Sequence, residues 1–562
     1  MYNTAHFSRM PKTELPGTRM KKPQIVAGTS LHGEIIPLFC NLVMPGTVDS
    51  NKAFGQIWMS TPIAPIMSQI KCSLHTFFVP LRLVWKHTKE FFGENKTTSG
   101  PQTTTYYIPR KAINKSSDAT SKVMVGSVSH YLGKPLYKGS TLDSGSVDNL
   151  VSVLKERAYW LTVSEFYRAQ QVENPFILID DDTGGIGSIS GVYKDFSSMP
   201  EVCLKDFDYF TTCTISPNYG GEVLLPLGSA APVFAAATDH TYPQTNPVRM
   251  KDTSGVNVFS GPLGFAYGGA LKADSNSGFN SGNHDIVFSN LYADLSKATA
   301  SKIDDLYTAM AAQAWYHNAN YGSRYFEVME IHYGVSNPDL VLDRPEHVSE
   351  FTFDIIVQDV ISAAGATNDA STKLGQPGAY AKTLVRKKLY NHSFGEWGFV
   401  ICLMNTYHQR YYSAGVPRED LYSELFDFYF PEFACRGDDY TMFNELFCCS
   451  SMDGSTAFGY QEAYADRRYY VSRATAQLDP YCSAADNGKN ALGRFVLDEK
   501  WTSRPSLGAQ FLKEDRNAIK DALVSGSNGP DYVWQFNFEH IEILPMPAYS
   551  KPGIPSFGRG IV

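Results

Sequence analysis

Two stretches of this 562-residue sequence combine residue types that could bind an ion or a phosphate group. The first, 180–191, reads DDDTGGIGSISG, and its aspartates beside glycines are similar to a calcium-binding loop. Its twelfth position is Gly191, where such a loop needs a bidentate Glu. Gly185 and Gly187 also lack the correctly placed third glycine of a dinucleotide-binding fingerprint. We therefore expect neither a metal ion nor a nucleotide at this stretch.

The second stretch, 458–479, alternates aromatic residues with arginines in the sequence FGYQEAYADRRYYVSRATAQLD. Such side chains can stack on nucleic-acid bases and pair with phosphates. Arginines also pair with acids and stack on tyrosines across protein–protein interfaces, and we favour this second interpretation. The candidate interface residues are Arg467, Arg468, Tyr469 and Arg473.

The rest of the sequence carries no catalytic motif of a known class. Metalloprotease, nucleophile-elbow, Walker A and zinc-ribbon spacings are all missing. The RGD tripeptide at 436–438 is typical of a polar turn in a chain without a secretion signal. The sequence therefore predicts a protein that is not an enzyme, with no cofactor and no metal site.

Composition limits the remaining classes of function. The 34 Phe, 33 Tyr and 7 Trp, with 44 Gly and 31 Pro, are typical of short strands joined by turns and of extensive interfaces. A net charge of −8 argues against binding nucleic acid over the whole surface but allows a local basic patch. Nine scattered cysteines indicate free, buried thiols in a reducing cytosol. With no signal peptide and no apolar run of membrane-spanning length, we expect a soluble chain made in the cytoplasm.

The N-terminal residues 1–22 contain five basic side chains and a single acid, Glu14. This pattern predicts an extended basic arm rather than a packed element. Such an arm is either a solvated terminus or a contact to nucleic acid or a neighbouring subunit. Its candidate nucleic-acid contacts are Arg9, Lys12, Arg19, Lys21 and Lys22.

The elements that position these side chains follow from hydrophobic periodicity. Residues 70–79 alternate as in a strand with one buried face, Pro80 ends it, and an aromatic and basic segment follows at 82–96. The continuous apolar run 397–404 suits a strand covered on both faces. A helix is predicted over 154–171, with Arg157 on the surface, and another after a capping box at 301–304. The alternation in 534–543 slips at His540, which predicts a β-bulge.

Ordered segments along nearly the whole chain resemble the major capsid proteins of the Microviridae, the small single-stranded DNA bacteriophages, and in particular their gokushovirus-like branch. Among them are GEIIPLFCNLVMPGT at 33–47, DYFTTCTISPNYGGEVLLPLG at 208–228, GSRYFEVMEIHYGVSNPDLVLDRPEHV at 322–348 and LPMPAYSKPG at 544–553. The resemblance implies a mainly β chain with a viral jelly roll, an eight-stranded antiparallel barrel of two packed sheets. We expect a single jelly-roll domain over 23–562, with long insertions at about 97–325 that contain some helices.

The same resemblance implies a function in the virion. About sixty copies would close a T=1 icosahedral shell around circular single-stranded DNA. Partners would be a small basic DNA-packaging protein and a minor or pilot capsid protein. The segment 82–96 would be a subunit contact, with Trp85, Phe91 and Phe92 as anchors.

The Ala-, Gly-, Ser- and Asn-rich stretch 229–289 predicts a long exposed loop, and loops of this length are usually functional or disordered. By the resemblance it is the candidate threefold protrusion that meets a host cell-surface receptor. The candidate attachment residues are Asn276, Phe279, Asn280, Asn283 and His284. The alternatives are a carbohydrate-binding, lectin-like jelly-roll module, since the same architecture hosts lectins, and a hydrolase on an all-β scaffold.

Overall fold

The structure, a computed structural model, separates the chain into two compact units. One is Met1–Pro217 together with Ser336–Val562, and the other is Asn218–Val335. The residues described are 17–62, 66–94, 106–115, 117–139, 149–217, 233–235, 250–252, 264–265, 271–272, 286–288, 291–293, 303–321, 325–334, 343–361, 377–433, 437–448, 454–479, 481, 496–497, 501, 503–523 and 529–547.

Among the described residues of the first unit, nine strands build two antiparallel sheets. In chain order they are β1 (Thr18–Ser30), β2 (Ile36–Val43), β3 (Val48–Met59), β4 (Ile70–Pro80), β5 (Glu346–Ile355), β6 (Val357–Ile361), β7 (Pro377–Ser393), β8 (Gly398–His408) and β9 (Tyr532–Leu544). One sheet has the order β1-β9-β3-β7-β6, and the other has the order β5-β4-β8-β2. This strand order is that of a jelly roll, so the predicted fold class is confirmed, with nine strands in two sheets where eight strands were predicted. At Ile356 the chain passes from the second sheet to the first.

Shorter elements lie mostly in the connections between these strands. The helices are α1 (Leu81–Val84), α2 (Thr88–Phe91), α3 (Val128–Tyr131), α4 (Leu154–Phe166), α5 (Ile303–Tyr321), α6 (Tyr325–Tyr333), α7 (Phe443–Leu446) and α8 (Ala509–Leu512). The first unit's short strands are Arg110–Ala112 paired with Leu150–Ser152, the trio Phe176–Leu178, Gly187–Ile189 and Val192–Lys194, and Asp438–Met442 paired with Ala457–Glu462. The connections between β4 and β5 and between β8 and β9 therefore run over 81–345 and 409–531, and the predicted insertion at about 97–325 lies within the first of them.

The two sheets pack face to face across an apolar core. Phe39 of β2 meets Phe538 of β9 edge to face, with ring centroids 4.8 Å apart. The second sheet is covered on its other face as well, because Phe77 of β4 and Ile401 of β8 pack in one cluster with Trp160 of α4. This second layer explains why the run 397–404 is apolar without interruption, as predicted. It also buries Ser73 and Phe77 on the face of β4 that was expected to point outward, whereas Lys71 and His75 stay half-buried.

Arg157 of α4 is fully buried, so its predicted place on the surface is wrong. Its guanidinium donates to the carbonyl oxygens of Val84 and Asp181 (both 3.1 Å), Thr183 (2.8 Å) and Gly185 (2.9 Å). The stretch 180–191 that is similar to a calcium loop therefore turns its carbonyl groups towards a protein cation. The guanidinium of Arg157, and not a metal ion, is the cation that these carbonyl groups contact.

Strand β9 keeps one register with both neighbours along its length, so the predicted β-bulge at His540 is wrong. His540 points into the interior, where its Nδ1 lies 2.9 Å from Asp49 Oδ2. The hydroxyl of Tyr390 donates to the same oxygen (2.8 Å). The apolar alternation of β9 is interrupted at His540 because a hydrogen-bonded polar side chain, not an apolar one, occupies this inward position.

The second unit contains a nested hairpin and two helices. Its strands pair as Val233–Ala235 with Leu291–Ala293, Met250–Asp252 with Ile286–Phe288, and Gly264–Phe265 with Leu271–Lys272. Because each pair lies inside the previous one along the chain, part of the predicted loop 229–289 is an antiparallel ribbon. The helix predicted after 301 is confirmed as α5, and Trp315 of α5 stacks on His332 of α6 with centroids 5.8 Å apart.

Five of the described cysteines are free and buried, as predicted: Cys40, Cys72, Cys203, Cys213 and Cys402. Burial raises the pKa of Cys40 to about 12, which keeps its thiol protonated and unreactive. Cys448 is also free but exposed.

Candidate functional site

An exposed aromatic segment, 425–433 (LFDFYFPEF), lies in the insertion between β8 and β9. Five of its large apolar side chains are at least 40% exposed: Leu425, Phe426, Phe428, Tyr429 and Phe433. Two 3-10 turns shape it, Leu425–Asp427 and Pro431–Phe433. The Asp427 carboxylate accepts from the backbone N–H groups of Ser423 (2.7 Å) and Glu424 (2.8 Å). A contiguous apolar surface of this kind indicates contact with another protein.

Sequence reasoning missed this segment, although its composition carries the signal. Five of its nine residues are aromatic, and two acids and a proline interrupt them without strand or helix periodicity. An aromatic run with no period has no single face to bury in its own core. That combination could have identified it as an interface.

The predicted interface residues around Arg467 form pairs within the chain. The Arg467 guanidinium lies 5.6 Å from the ring centroid of Tyr422, and it contacts the carboxylates of Asp466 (3.4 Å) and Glu419 (3.8 Å). Arg468 is paired with the carboxylate of Glu462. These arginine charges are therefore partly neutralised by acids, which suits a protein interface better than a phosphate-binding surface.

Tyr469 and Arg473 line a groove of about 300 Å³. Its wall contains Glu445, which accepts from the Tyr209 hydroxyl and from Arg418 Nη1, both at 2.6 Å. Burial, with the charge of Glu445, raises the pKa of Tyr209, so the phenol remains a donor. The groove is thus lined by this hydrogen-bonded group and by the exposed tyrosines Tyr469 and Tyr470.

Of the three predicted anchors near β4, only two reach the surface. Trp85 is 1% exposed, and its Nε1 donates to Asp182 Oδ1 (2.7 Å), so its prediction as a subunit anchor is wrong. It is buried because it packs in one apolar cluster with Val79 of β4 and Trp160 of α4. Phe91 and Phe92 are 42% and 49% exposed, and Phe92 stacks on Trp397 with centroids 5.6 Å apart. These two remain candidates.

A basic sheet face forms the outer side of the sheet β1-β9-β3-β7-β6. Its outward-pointing cations among the described residues are Arg19, Lys21, Lys52, Lys382, Arg386 and Lys388. Among the described residues of this face, the acidic one is Glu539, whose carboxylate lies 3.0 Å from Lys21 Nζ. Lys382 lies 5.5 Å from the ring centroid of Trp58, and Arg386 lies 4.9 Å from that of Phe54. Cations above partly exposed rings can contact both phosphates and bases.

The predicted N-terminal arm does not extend to residue 22. Arg19, Lys21 and Lys22 lie in β1, which pairs with β9 from Thr18 onward, and Lys22 Nζ lies 2.7 Å from Glu542 Oε2. These three residues therefore belong to a sheet edge. Arg9 and Lys12 lie outside the described residues, as do the five candidate attachment residues Asn276, Phe279, Asn280, Asn283 and His284.

Comparison of the sequence with known proteins finds one matching family and several similar capsid proteins. The family model described as "Capsid protein (F protein)" matches residues 8–554. Capsid protein VP1 of Bdellovibrio phage phiMH2K is 27% identical over 99% of both chains. The VP1 proteins of Spiroplasma virus 4 and Chlamydia phage 1 are 27% and 26% identical, each over 98% of this chain and 97% of the relative. The chain therefore belongs to the F-type capsid proteins of the Microviridae, and it is a structural component of the virion, not an enzyme.

Proposed function

We propose that about sixty copies of this capsid protein close a T=1 icosahedral shell around circular single-stranded DNA. Assembly with other copies follows from the family. The proposal that the shell encloses DNA is supported by one observation: the same jelly roll carries two chemically distinct exposed surfaces. The exposed aromatic segment suits contact with neighbouring subunits, and the basic sheet face suits contact with the enclosed DNA.

The charge distribution supports DNA contact at the basic sheet face. The chain as a whole has a net charge of −8, so DNA must be held by a local patch. The face combines six cations and one described acid with partly exposed rings, and Trp58 is 43% exposed. Stacking of bases on Trp58 and pairing of phosphates with Lys382 and Arg386 would hold a single strand without sequence preference. Arg9 and Lys12 would add charge at the N terminus.

Replacing Lys382 and Arg386 together with Ser should leave shells of sixty copies but lower their DNA content. Two phosphate contacts are lost, so the salt slope of oligonucleotide binding by the unassembled chain should become shallower by about 1.4. The matched control replaces Arg110 and Lys138, an exposed arginine and an exposed lysine outside the face, with Ser. Cryo-electron microscopy of the particles measures copy number and internal density. Equal DNA content in both variants would contradict the role of the face, and a wild-type shell of another symmetry would contradict T=1.

The proposed assembly route uses the bacterial cytoplasm and two further virion components. A small basic packaging protein would neutralise phosphates that this acidic chain leaves unpaired, and a minor or pilot protein would complete the particle. No helix in the described part of the chain is long and apolar enough to span a bilayer. Full packaging by the purified chain alone, without any basic partner, would contradict the need for the packaging protein.

The stretch 229–289 is proposed as the threefold protrusion that contacts a host receptor. The segment 274–284 lies along the chain between the strands Leu271–Lys272 and Ile286–Phe288, so its removal deletes no residue of a strand pair. Deleting 274–284, which removes the five candidate attachment residues, should leave particle yield unchanged and abolish adsorption to host cells. The matched control deletes 138–148, eleven residues of a different part of the chain, and should adsorb like wild type. Normal adsorption of the 274–284 deletion would disprove the attachment role.

A further inference from the structure

Two histidines and a glutamate meet in the interior of the first unit. His32 lies in the turn between β1 and β2, His408 is the last residue of β8, and Glu514 follows α8. Their side chains are almost completely buried. His32 Nε2 lies 3.1 Å from His408 Nδ1 and 3.4 Å from Glu514 Oε1, and His408 Nδ1 lies 2.7 Å from the same oxygen. Three atoms that commonly bind metals thus form a triangle inside the protein.

Hydrogen bonds satisfy this triangle only in part. Each imidazole nitrogen offers one in-plane site, either a proton or a lone pair. If both nitrogens carry protons, two N–H groups face each other at 3.1 Å, and if one lacks a proton, Glu514 loses a donor. In the structure Glu514 Oε1 accepts no hydrogen bond of regular geometry. A buried carboxylate oxygen in that state is unfavourable unless a cation lies beside it.

The spacing suits a tetrahedral metal ion. Zinc binds His nitrogen and carboxylate oxygen at about 2.0–2.2 Å, which places neighbouring ligand atoms on the order of 3.3 Å apart. Two of the three distances are close to this value, and the third would lengthen slightly. Two nitrogen ligands favour zinc over calcium or magnesium, which prefer oxygen.

A second layer of contacts orients the three side chains. The Tyr532 hydroxyl lies 3.0 Å from His32 Nδ1, so the other ring nitrogen is directed towards His408. Arg410 pairs with the second carboxylate oxygen of Glu514, which leaves Oε1 as the free ligand atom. Asp531 accepts from the backbone N–H of His32 (2.9 Å) and fixes the turn. Partners of this kind accompany metal-binding histidines and carboxylates.

We propose that His32, His408 and Glu514 bind one zinc ion per chain, with a water molecule as the fourth ligand. The ion would fasten the segment 503–523 to the ends of β1 and β8, and so stabilise the second insertion against the jelly roll. The sequence predicted no metal site, because the ligands lie in three distant segments and form no spacing motif.

Metal analysis of purified full-length chain, after dialysis against metal-free buffer, tests the proposal. Wild type should retain about one zinc per chain, and cobalt(II) exchanged into it should give the visible absorption of a tetrahedral complex. His32→Gln should lose both signals. His540→Gln, which changes an equally buried histidine outside the triangle, should keep both.

Wild-type protein without zinc and without the cobalt spectrum would overturn the proposal. Zinc retained equally by His32→Gln and His540→Gln would also overturn it, because the metal would then be bound elsewhere. If His32→Gln does not fold, the wild-type stoichiometry and spectrum still decide, together with Glu514→Gln, which keeps the shape of the side chain.

Discussion

Replacing Arg157 with Ala is expected to lower the free energy of unfolding by roughly 4 kcal/mol, since one buried and three partly buried carbonyl groups lose their donor and each unsatisfied buried group costs about 1–3 kcal/mol. Water that enters the new cavity would donate to some of these carbonyl groups, so the expected loss of stability lies at the lower end of the range that this cost per group allows. Burial lowers the pKa of Arg157 to about 10, against the charges of Asp181, Asp180 and Asp182, so the guanidinium is protonated at neutral pH. It therefore acts as a permanent cation inside the 180–186 turn.

Urea denaturation of the unassembled chain, followed by tryptophan fluorescence, measures this loss. Arg157→Lys should fall between wild type and Arg157→Ala, because an ammonium cannot reach four carbonyl oxygens in one plane. Lys155→Ala, on the same helix and partly exposed, is the control and should change stability by less than about 0.5 kcal/mol. Equal stability of Arg157→Ala and Lys155→Ala would mean that the turn does not depend on the guanidinium.

The features that sequence reasoning predicted correctly are those encoded by local periodicity. The strand at 70–79 and the doubly covered strand at 397–404 follow from the spacing of apolar residues, and both are present as β4 and β8. The helix after 301 follows from its capping pattern and is present as α5. In each case the physical cause lies within about ten residues of chain.

The features that it missed depend on partners far away along the chain. Arg157 is polar, and its residue type alone predicts a position on the surface. The carbonyl groups that bind it, such as that of Asp181, lie about two dozen residues away along the chain, so only the folded structure reveals the contact. His540 interrupts an apolar alternation, and its inward position is explained by Asp49 on another strand. Polar burial is a tertiary property, so a single sequence gives no local sign of it.

The pairing of β4 with β5 shows how the jelly roll accommodates a very long insertion. β4 ends at Pro80 and β5 begins at Glu346, yet the two strands pair directly in the second sheet. Because the entropy of closing a loop grows only slowly with its length, a sheet tolerates a very long connection between paired strands. The connection can then form a separate compact unit, Asn218–Val335, without changing the strand order of the jelly roll.

The double substitution Phe426→Asp with Phe428→Asp is expected to abolish shell assembly while leaving the chain folded. Both rings are more than half exposed, so the folded subunit loses little by their removal. If they are buried between subunits, each contributes about 1.5–3 kcal/mol to the contact, and a buried unpaired carboxylate adds a further cost. A loss of roughly 3 kcal/mol weakens each contact more than about 100-fold, and the effect is repeated around a closed shell.

Sedimentation and electron microscopy measure assembly, and circular dichroism checks the fold. The matched control, Val192→Asp with Tyr193→Asp, introduces the same charge at two apolar side chains that are even more exposed but lie outside the segment. It should assemble like wild type. Shells formed at normal yield by the Phe426/Phe428 variant would place the subunit contact elsewhere, with the tyrosine-lined groove beside Arg473 as the next surface to test. Because the segment is aromatic without periodicity, its side chains are better explained by a neighbouring subunit than by the chain's own core.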